Sequence, residues 1–321
     1  MDTTNCLNDR KLYDSQTIGK SSKTMQKIHE LSIEAGFPEG VFSIALGETD
    51  VVKQLITAPE VKAVTFVGSS PVAKIIGDMA QQHGKKALCL GGACNHLILL
   101  PDADMNLAVK DIVASFCGSS GQRCLAASVL CVVGDVDITD EIKEITNQTK
   151  VNRLISKEAT VDINSIIRQM KSDPQCNIIV DGEVGDDECI KPSVIEVKDH
   201  MKDGKRHYLI DNEVFGPVLV IVRCKTVDEA IALENGSRFA NGASVYTQSG
   251  GKASYITKRL QSGMIGVNVG VPVPREPFSF GGHKQSNMAG HQDITGMDGI
   301  NFFTRKKKIT TRCGDDKTIF G

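Results

Sequence analysis

Three short segments of the chain combine residue types that could do chemistry. The first is Gly118-Ser119-Ser120-Gly121-Gln122-Arg123-Cys124, a glycine-bounded turn that delivers a cysteine beside an arginine. A neighbouring cation and free backbone N–H groups favour thiolate over thiol, and the thiolate is the nucleophile. The same residues equally describe a turn carrying a core cysteine, because free cysteines are among the most buried residue types. The second segment is Phe66-Val67-Gly68-Ser69, ahead of an amphipathic stretch. Its glycine permits close backbone approach, and a following helix N-terminus offers N–H groups to phosphate. It lacks the three-glycine dinucleotide fingerprint, so an ordinary strand-to-helix turn reads the same way. The third is Asn212-Glu213-Val214-Phe215-Gly216-Pro217, a glutamate on a turn into an apolar run. Exposure is the usual fate of such a glutamate.

The elements that must position these residues alternate. Met25, Ile28, Leu31, Ser32 and Ala35 recur at helical spacing after Ser22 as N-cap, and Gly36 and Pro38 stop that helix. Strands follow at Val41–Leu46 and Ala63–Val67, and Pro71 opens a helix whose stripe is Val72, Ile75, Ile76 and Met79. Further strands are expected at Ala87–Leu90, Leu97–Leu100, Ile178–Val180, Val218–Val222 and Gly263–Val269, with a helix from about Asn106 to Phe116. Strand, glycine turn and helix in series are the grammar of an open parallel α/β sheet.

Composition narrows the class. The 321 residues suffice for two domains, and 40% hydrophobic with 24% charged residues make the chain globular. A net charge of −2 with no dominant basic run argues against nucleic acid as a partner. The cluster Arg305-Lys306-Lys307-Lys308 reads as the solvated face of a terminal strand. The 10 cysteines show no paired spacing, and several lie in apolar runs, so they read as reduced core residues with no metal site. No apolar run approaches a membrane span, and the acid-bearing N-terminus matches neither a signal nor a transit peptide.

Taken in order, Glu34-Ala-Gly-Phe-Pro-Glu-Gly40, Phe66-Val-Gly-Ser69, Leu90-Gly-Gly-Ala-Cys-Asn95, Pro101-Asp-Ala-Asp104, Gly121-Gln-Arg-Cys124, Glu213-Val-Phe-Gly-Pro217 and Gly299-Ile-Asn-Phe-Phe-Thr304 resemble the aldehyde dehydrogenase superfamily. Gln122-Arg123-Cys124, Asn95-His96 and Val271-Pro-Val-Pro274 before Phe278-Ser-Phe280 resemble its CoA-acylating methylmalonate-semialdehyde dehydrogenase branch. The likeness runs from about residue 20 to about residue 312 and thins between about 135 and 205.

The resemblance implies an α/β fold with a partial Rossmann-type cofactor domain over residues 1–93, a catalytic domain over 94–298 and a terminal oligomerisation strand within 299–321. It implies NAD as cofactor, CoA as co-substrate, a small aldehyde as substrate, a homo-oligomer, and a mitochondrial or cytoplasmic setting without membrane contact. Cys124 would be the nucleophile, Glu213 would hold the nicotinamide ribose, and Gly68 and Ser69 would approach the cofactor. Hydrolytic relatives place a glutamate base where this chain has Leu90, and leucine accepts no proton. Arg123 has two roles open: pairing with a substrate carboxylate, or bracing the loop and lowering the thiol pKa.

The sequence also departs from the pattern. The family's lysine-proline-serine-glutamate turn has a remnant in Lys20-Ser-Ser-Lys23, a usual glycine is Ala73, and a usual lysine is Cys94. Residues 1–19 do not supply the family's N-terminal asparagine of the oxyanion hole. Losing one such donor costs roughly 2.7–4 kcal/mol of transition-state stabilisation. These departures define the alternative, an inert paralogue that serves as a binding or oligomerisation partner.

Overall fold

The structure, a computed structural model, describes residues 11–13, 22–184, 189–202, 204–290 and 292–312. Lys20 and Ser21 of the remnant turn, the residues read for an N-terminal leader, and residues 313–321 lie outside the described residues.

The elements in chain order are β1 (Lys11–Tyr13), α1 (Ser22–Glu34), β2 (Phe42–Ile44), α2 (Thr49–Thr57), β3 (Ala63–Val67), α3 (Ser70–Gln82), β4 (Lys86–Leu90), β5 (Asn95–Leu99), α4 (Met105–Cys117), β6 (Ala127–Val133), α5 (Thr139–Gln148), α6 (Lys157–Lys171), β7 (Cys176–Val180) and β8 (Ser193–Val197). There follow β9 (Met201–Lys202), β10 (Lys205–Arg206), α7 (Tyr208–Asp211), β11 (Val218–Cys224), α8 (Val227–Asn235), β12 (Phe239–Ala240), β13 (Gly242–Tyr246), α9 (Gly250–Thr257), β14 (Met264–Val267), β15 (His283–Lys284), β16 (Asn287–Ala289) and α10 (Gly296–Phe303).

Apolar runs without polar alternation make strands buried on both faces. Val218–Cys224 is such a run, and it sits between β6 and β8 inside a seven-stranded sheet in the order β14-β13-β5-β6-β11-β8-β7. Every pairing is parallel except that of β7 with β8. The two-residue strand period divides the sheet's side chains between two cores. Val218, Val220 and Val222 join Ile98 and Leu100 under α6, α8 and α9. Leu219 and Ile221 join Leu97 and Leu99 under α4 and α5.

A smaller sheet, β16-β4-β3, pairs β3 with β4 in parallel and brings β16 back antiparallel to β4. Ala73, Ile76 and Ala80 of α3 pack on it against Cys89 and Ala289. The alanine at 73 is fully buried there. β3 is this sheet's edge, and Val67, Val72 and Ile75 beside it are exposed.

The chain's end differs from expectation. Phe302 and Phe303 belong to α10 rather than to a terminal strand, and residues 304–312 have no ladder partner among the described residues. The reason is local: Phe302 turns inward on Leu88 and Leu90, and Lys86 Nζ caps the helix end at the carbonyls of Phe302 and Thr304 (2.7 and 2.9 Å). Arg305 to Lys308 are exposed, as read. No described helix is long and apolar enough to cross a membrane.

Candidate active site

The cysteine loop leaves the C-terminus of α4. It is a tight 3-10 turn, Gly118–Gly121, in which Ser119 (φ 52°) and Ser120 (φ 55°) both take left-handed backbone angles. Non-glycine residues seldom do so, and they cluster where a site holds its backbone to a task. Ser120 is buried and its hydroxyl donates to the Asn152 carbonyl (2.7 Å). Gly121 (φ +71°) passes so close to Gly216 that a Cβ would stand 2.0 Å from its carbonyl oxygen. That close pass brings the Cys124 loop against the Glu213–Pro217 turn.

Among the described cysteines, only Cys124 has an exposed side chain. Cys124 is therefore not a packed core cysteine, the second reading of the segment. Partial desolvation pushes its pKa up, and the charge of Glu213 adds to that. Its own N–H, the N–H of Leu125 and the Arg123 charge pull the other way.

Arg123 reaches back rather than outward. Its Nη2 donates to the carbonyls of Ala114 and Ser115 (both 2.9 Å) at the end of α4. Gly118 leaves room for the guanidinium, since a Cβ there would lie 2.0 Å from Nη2. Of the two roles open for Arg123, this geometry supports the loop brace and leaves Nη2 engaged within the chain.

Glu213 accepts the Ala93 N–H at Oε1 (2.9 Å), and Oε2 has no hydrogen bond among the described residues. Burial raises its pKa, and the Ala93 N–H partly offsets that. A Cβ at Gly92 would fall 2.6 Å from Glu213 Oε2, so a larger residue there would displace the carboxylate. Gly68 and Ser69 form the β3–α3 turn: the Gly68 N–H donates to the Leu90 carbonyl (3.1 Å), while exposed Ser69 makes no side-chain cap on α3.

One stretch of five residues, 91–95, ties these parts together. Ser70 Oγ accepts the Gly92 N–H (2.9 Å), and Ser286 holds both neighbours, accepting the Gly91 N–H at its carbonyl (3.0 Å) and donating its hydroxyl to the Gly92 carbonyl (2.8 Å). Ala93 N–H holds Glu213, and Asn95 Nδ2 donates to the carbonyl of Cys124 (2.9 Å). Leu90, just before, is buried with Leu88 and Phe302, so its side chain is core.

Sequence reasoning quoted Asn95 only as a marker and missed Asn241, Ser70 and Ser286. An asparagine opening the run Asn95-His-Leu-Ile-Leu-Leu100 was a usable signal, because a buried amide in a strand must find partners. Asn241 gave a misleading one: Asn-Gly between apolar residues reads as a hairpin turn. A further trio, Asp173, Cys176 and His207, converges at the start of β7. His207 Nδ1 accepts the Leu209 N–H (3.3 Å), so the proton sits on Nε2 and the ring meets its neighbours as a donor.

Fold and site define an α/β protein that presents an exposed cysteine beside a half-buried carboxylate. The chain belongs to the aldehyde dehydrogenase family, whose model matches residues 18–309. It is 39% identical over 306 residues to malonate-semialdehyde dehydrogenase 1 of Geobacillus thermodenitrificans (strain NG80-2), covering 89% of this chain and 61% of that protein. The crystal structure of methylmalonate-semialdehyde dehydrogenase from Oceanimonas doudoroffii matches with a TM-score of 0.87 at 32% identity, over 94% of this chain and 64% of that one. A structure from Sinorhizobium meliloti 1021, solved with NAD, matches with the same TM-score, identity and coverage. The chain thus spans less than two thirds of the length of these relatives. The family resemblance read from the motifs holds, and so does the α/β fold.

Proposed function

We propose that the protein oxidises a semialdehyde of the malonate or methylmalonate class to an acyl-CoA through a thioester on Cys124. The observation that carries the reading is the exposed Cys124 beside the half-buried carboxylate of Glu213, both held by residues 93–95. The relatives named above act on such semialdehydes by their names.

The residues fit NAD. Oε2 of Glu213 is free among the described residues to accept a ribose hydroxyl, and the Gly68–Ser69 turn leaves the N-terminus of α3 without a side-chain cap. NAD, when bound, supplies the hydride acceptor. Cys124 thiolate adds to the aldehyde carbon, forming a C–S bond and placing negative charge on the carbonyl oxygen. Backbone N–H groups beside Cys124 are the donors available to that oxygen. Once the carbon has lost hydride, it is a thioester on Cys124. The CoA thiolate then adds to that carbonyl, the Cys124–acyl bond breaks, and Cys124 leaves as thiolate. This exchange needs no base acting on water, which agrees with the burial of apolar Leu90. Self-association through residues 304–312, which have no ladder partner among the described residues, belongs to the same reading.

An inert binding partner is not favoured, since such a role calls for neither the exposed thiol nor the unengaged carboxylate oxygen. The test is NADH production from purified protein with methylmalonate or malonate semialdehyde, NAD and CoA, and Cys124→Ala as control. CoA-dependent turnover that vanishes in the control is expected. Folded protein without turnover refutes the reading for this chain.

A further inference from the structure

The carbonyl of the nucleophile has unusual company. Most backbone carbonyls in a folded chain accept from backbone N–H groups. The Cys124 carbonyl instead accepts from two side-chain amides, Asn95 Nδ2 and Asn241 Nδ2, each at 2.9 Å. These come from places far apart in sequence: the first residue of β5, and the single residue joining β12 to β13.

Both asparagines are built in. Asn95 is 3% exposed and Asn241 7%. Asn95 also donates to the Ala126 carbonyl (2.8 Å) and accepts the Gly242 N–H at Oδ1 (3.0 Å), so its amide is engaged on three sides. The Gly242 bond fixes the neighbour of Asn241, which locks the two amides relative to each other. Gly282 leaves room for Asn241, because a Cβ there would fall 2.7 Å from its Oδ1.

A carbonyl that accepts two hydrogen bonds polarises its own peptide unit, and the N–H at the other end of that unit becomes a stronger donor. For Cys124 that N–H belongs to Leu125, which lies within reach of the Cys124 sulfur and favours its thiolate. Two donors on one oxygen also stop the Cys124–Leu125 peptide plane from rotating. We infer that Asn95 and Asn241 are positioning residues for the nucleophile, a paired amide clamp that fixes and polarises the Cys124–Leu125 peptide so that the Leu125 N–H stays aimed at the sulfur. The inference rests on Cys124 being the reactive group, and it adds a device acting through the backbone behind the thiol.

Asn241→Ala is the cleaner variant, because it removes one donor and leaves the wider network of Asn95 intact. Asn241→Ser, small and polar, is the second variant for use where the alanine protein does not fold. The readout is the iodoacetamide alkylation rate of Cys124 against pH, resolved by peptide mass spectrometry, with Cys176 followed in the same samples and the unfolding midpoint measured alongside. The expected result is an alkylation midpoint moved to higher pH, with the rate near neutrality down about threefold to tenfold, the equivalent of one hydrogen bond. The high-pH plateau and the Cys176 profile stay as in the parent. A purely structural role would change the unfolding midpoint or the plateau and leave the alkylation midpoint in place. A Cys124 profile superposed on the parent in a folded variant overturns the clamp. Alkylation needs neither NAD nor CoA, so this result stands apart from the NADH assay that tests the dehydrogenase reading.

Discussion

Gly121→Ala tests whether the cysteine loop owes its place to its close pass over the Glu213–Pro217 turn. Gly121 sits at φ +71°, where a Cβ costs about 1–2 kcal/mol for any L residue. The added carbon would also lie 2.0 Å from the Gly216 carbonyl oxygen and 2.7 Å from Pro217 N. These are backbone atoms and cannot rotate away, so the two segments must part by about 1.4 Å to reach an ordinary 3.4 Å contact. Gly84→Ala separates the two effects, since Gly84 has φ +67° with nothing within 4 Å of its Cβ position. The control should lose only the backbone term of about 1–2 kcal/mol, a roughly 5- to 30-fold change in the folded-to-unfolded ratio. Gly121→Ala should lose clearly more. A displacement of about 1 Å at a reacting group costs on the order of 100-fold in rate. Urea unfolding gives the first quantity for both variants, and Cys124 alkylation with NADH production gives the second. If Gly121→Ala unfolds like Gly84→Ala and its Cys124 reacts at the parent rate, the argument that this contact positions the thiol is wrong.

Glu213→Gln keeps an oxygen for the Ala93 N–H but removes a negative charge that holds the Cys124 thiol up, so the Cys124 alkylation profile should move to lower pH. NADH formation should fall in the same variant, since Gln offers the ribose a weaker acceptor than a carboxylate. Arg123→Lys should lower the unfolding midpoint and slow Cys124 alkylation, because one ammonium replaces a guanidinium that bridges Ala114 and Ser115. Relative rates on a carboxylate-bearing semialdehyde and a plain aldehyde should stay unchanged; a shift toward the plain aldehyde would restore the substrate role. Burial lowers the pKa of His96 to about 3 from 6.5. Its imidazole is therefore neutral in the fold while the unfolded chain takes up a proton, so its share of stability is full above about pH 6.5 and is lost as the pH falls toward 3. The slope is about 1.4 kcal/mol per pH unit in that window. Urea titrations of parent and His96→Gln at several pH values should diverge by that slope, and parallel curves would contradict it.

Much of the architecture was legible because apolar runs and turn residues agree with it. Strands 63–67, 86–90, 95–99 and 218–224 fall where the apolar runs stand, and α3 and α4 begin where Pro71 and Asn106 pointed. The end of the chain was not legible. Phe302 and Phe303 ahead of Arg305–Lys308 read as part of a terminal strand, whereas both lie in α10 with Phe302 packed on Leu88 and Leu90. At the candidate site, residue type pointed to Cys124, and the family resemblance to Glu213 and the Gly68 turn. It could not give the direction of the Arg123 side chain, because that depends on Gly118 leaving a space at the end of α4. Nor could it give the asparagine pair, because Asn95 and Asn241 meet only when β5 and β13 lie side by side.

The site is assembled where the two sheets join. Gly91 and Gly92 leave β4, the central strand of the smaller sheet, and Asn95 opens β5 in the larger one. Between them the backbone is held by Ser70 at the head of α3, by Ser286 ahead of β16 and by Glu213 ahead of β11. Each bond is an ordinary one, worth about 1 kcal/mol alone. Their arrangement in series means that the turn read as cofactor-facing and the loop bearing Cys124 are referred to one short piece of chain. The two glycines let the surrounding groups approach it: a Cβ at 91 would meet the Gln285 carbonyl at 2.6 Å, and one at 92 would meet Glu213. A chain that joins its sheets by so short a link has little freedom to move the thiol relative to Gly68 and Ser69. The proposed reaction, which would take hydride from a carbon held on Cys124, requires a fixed separation of that kind.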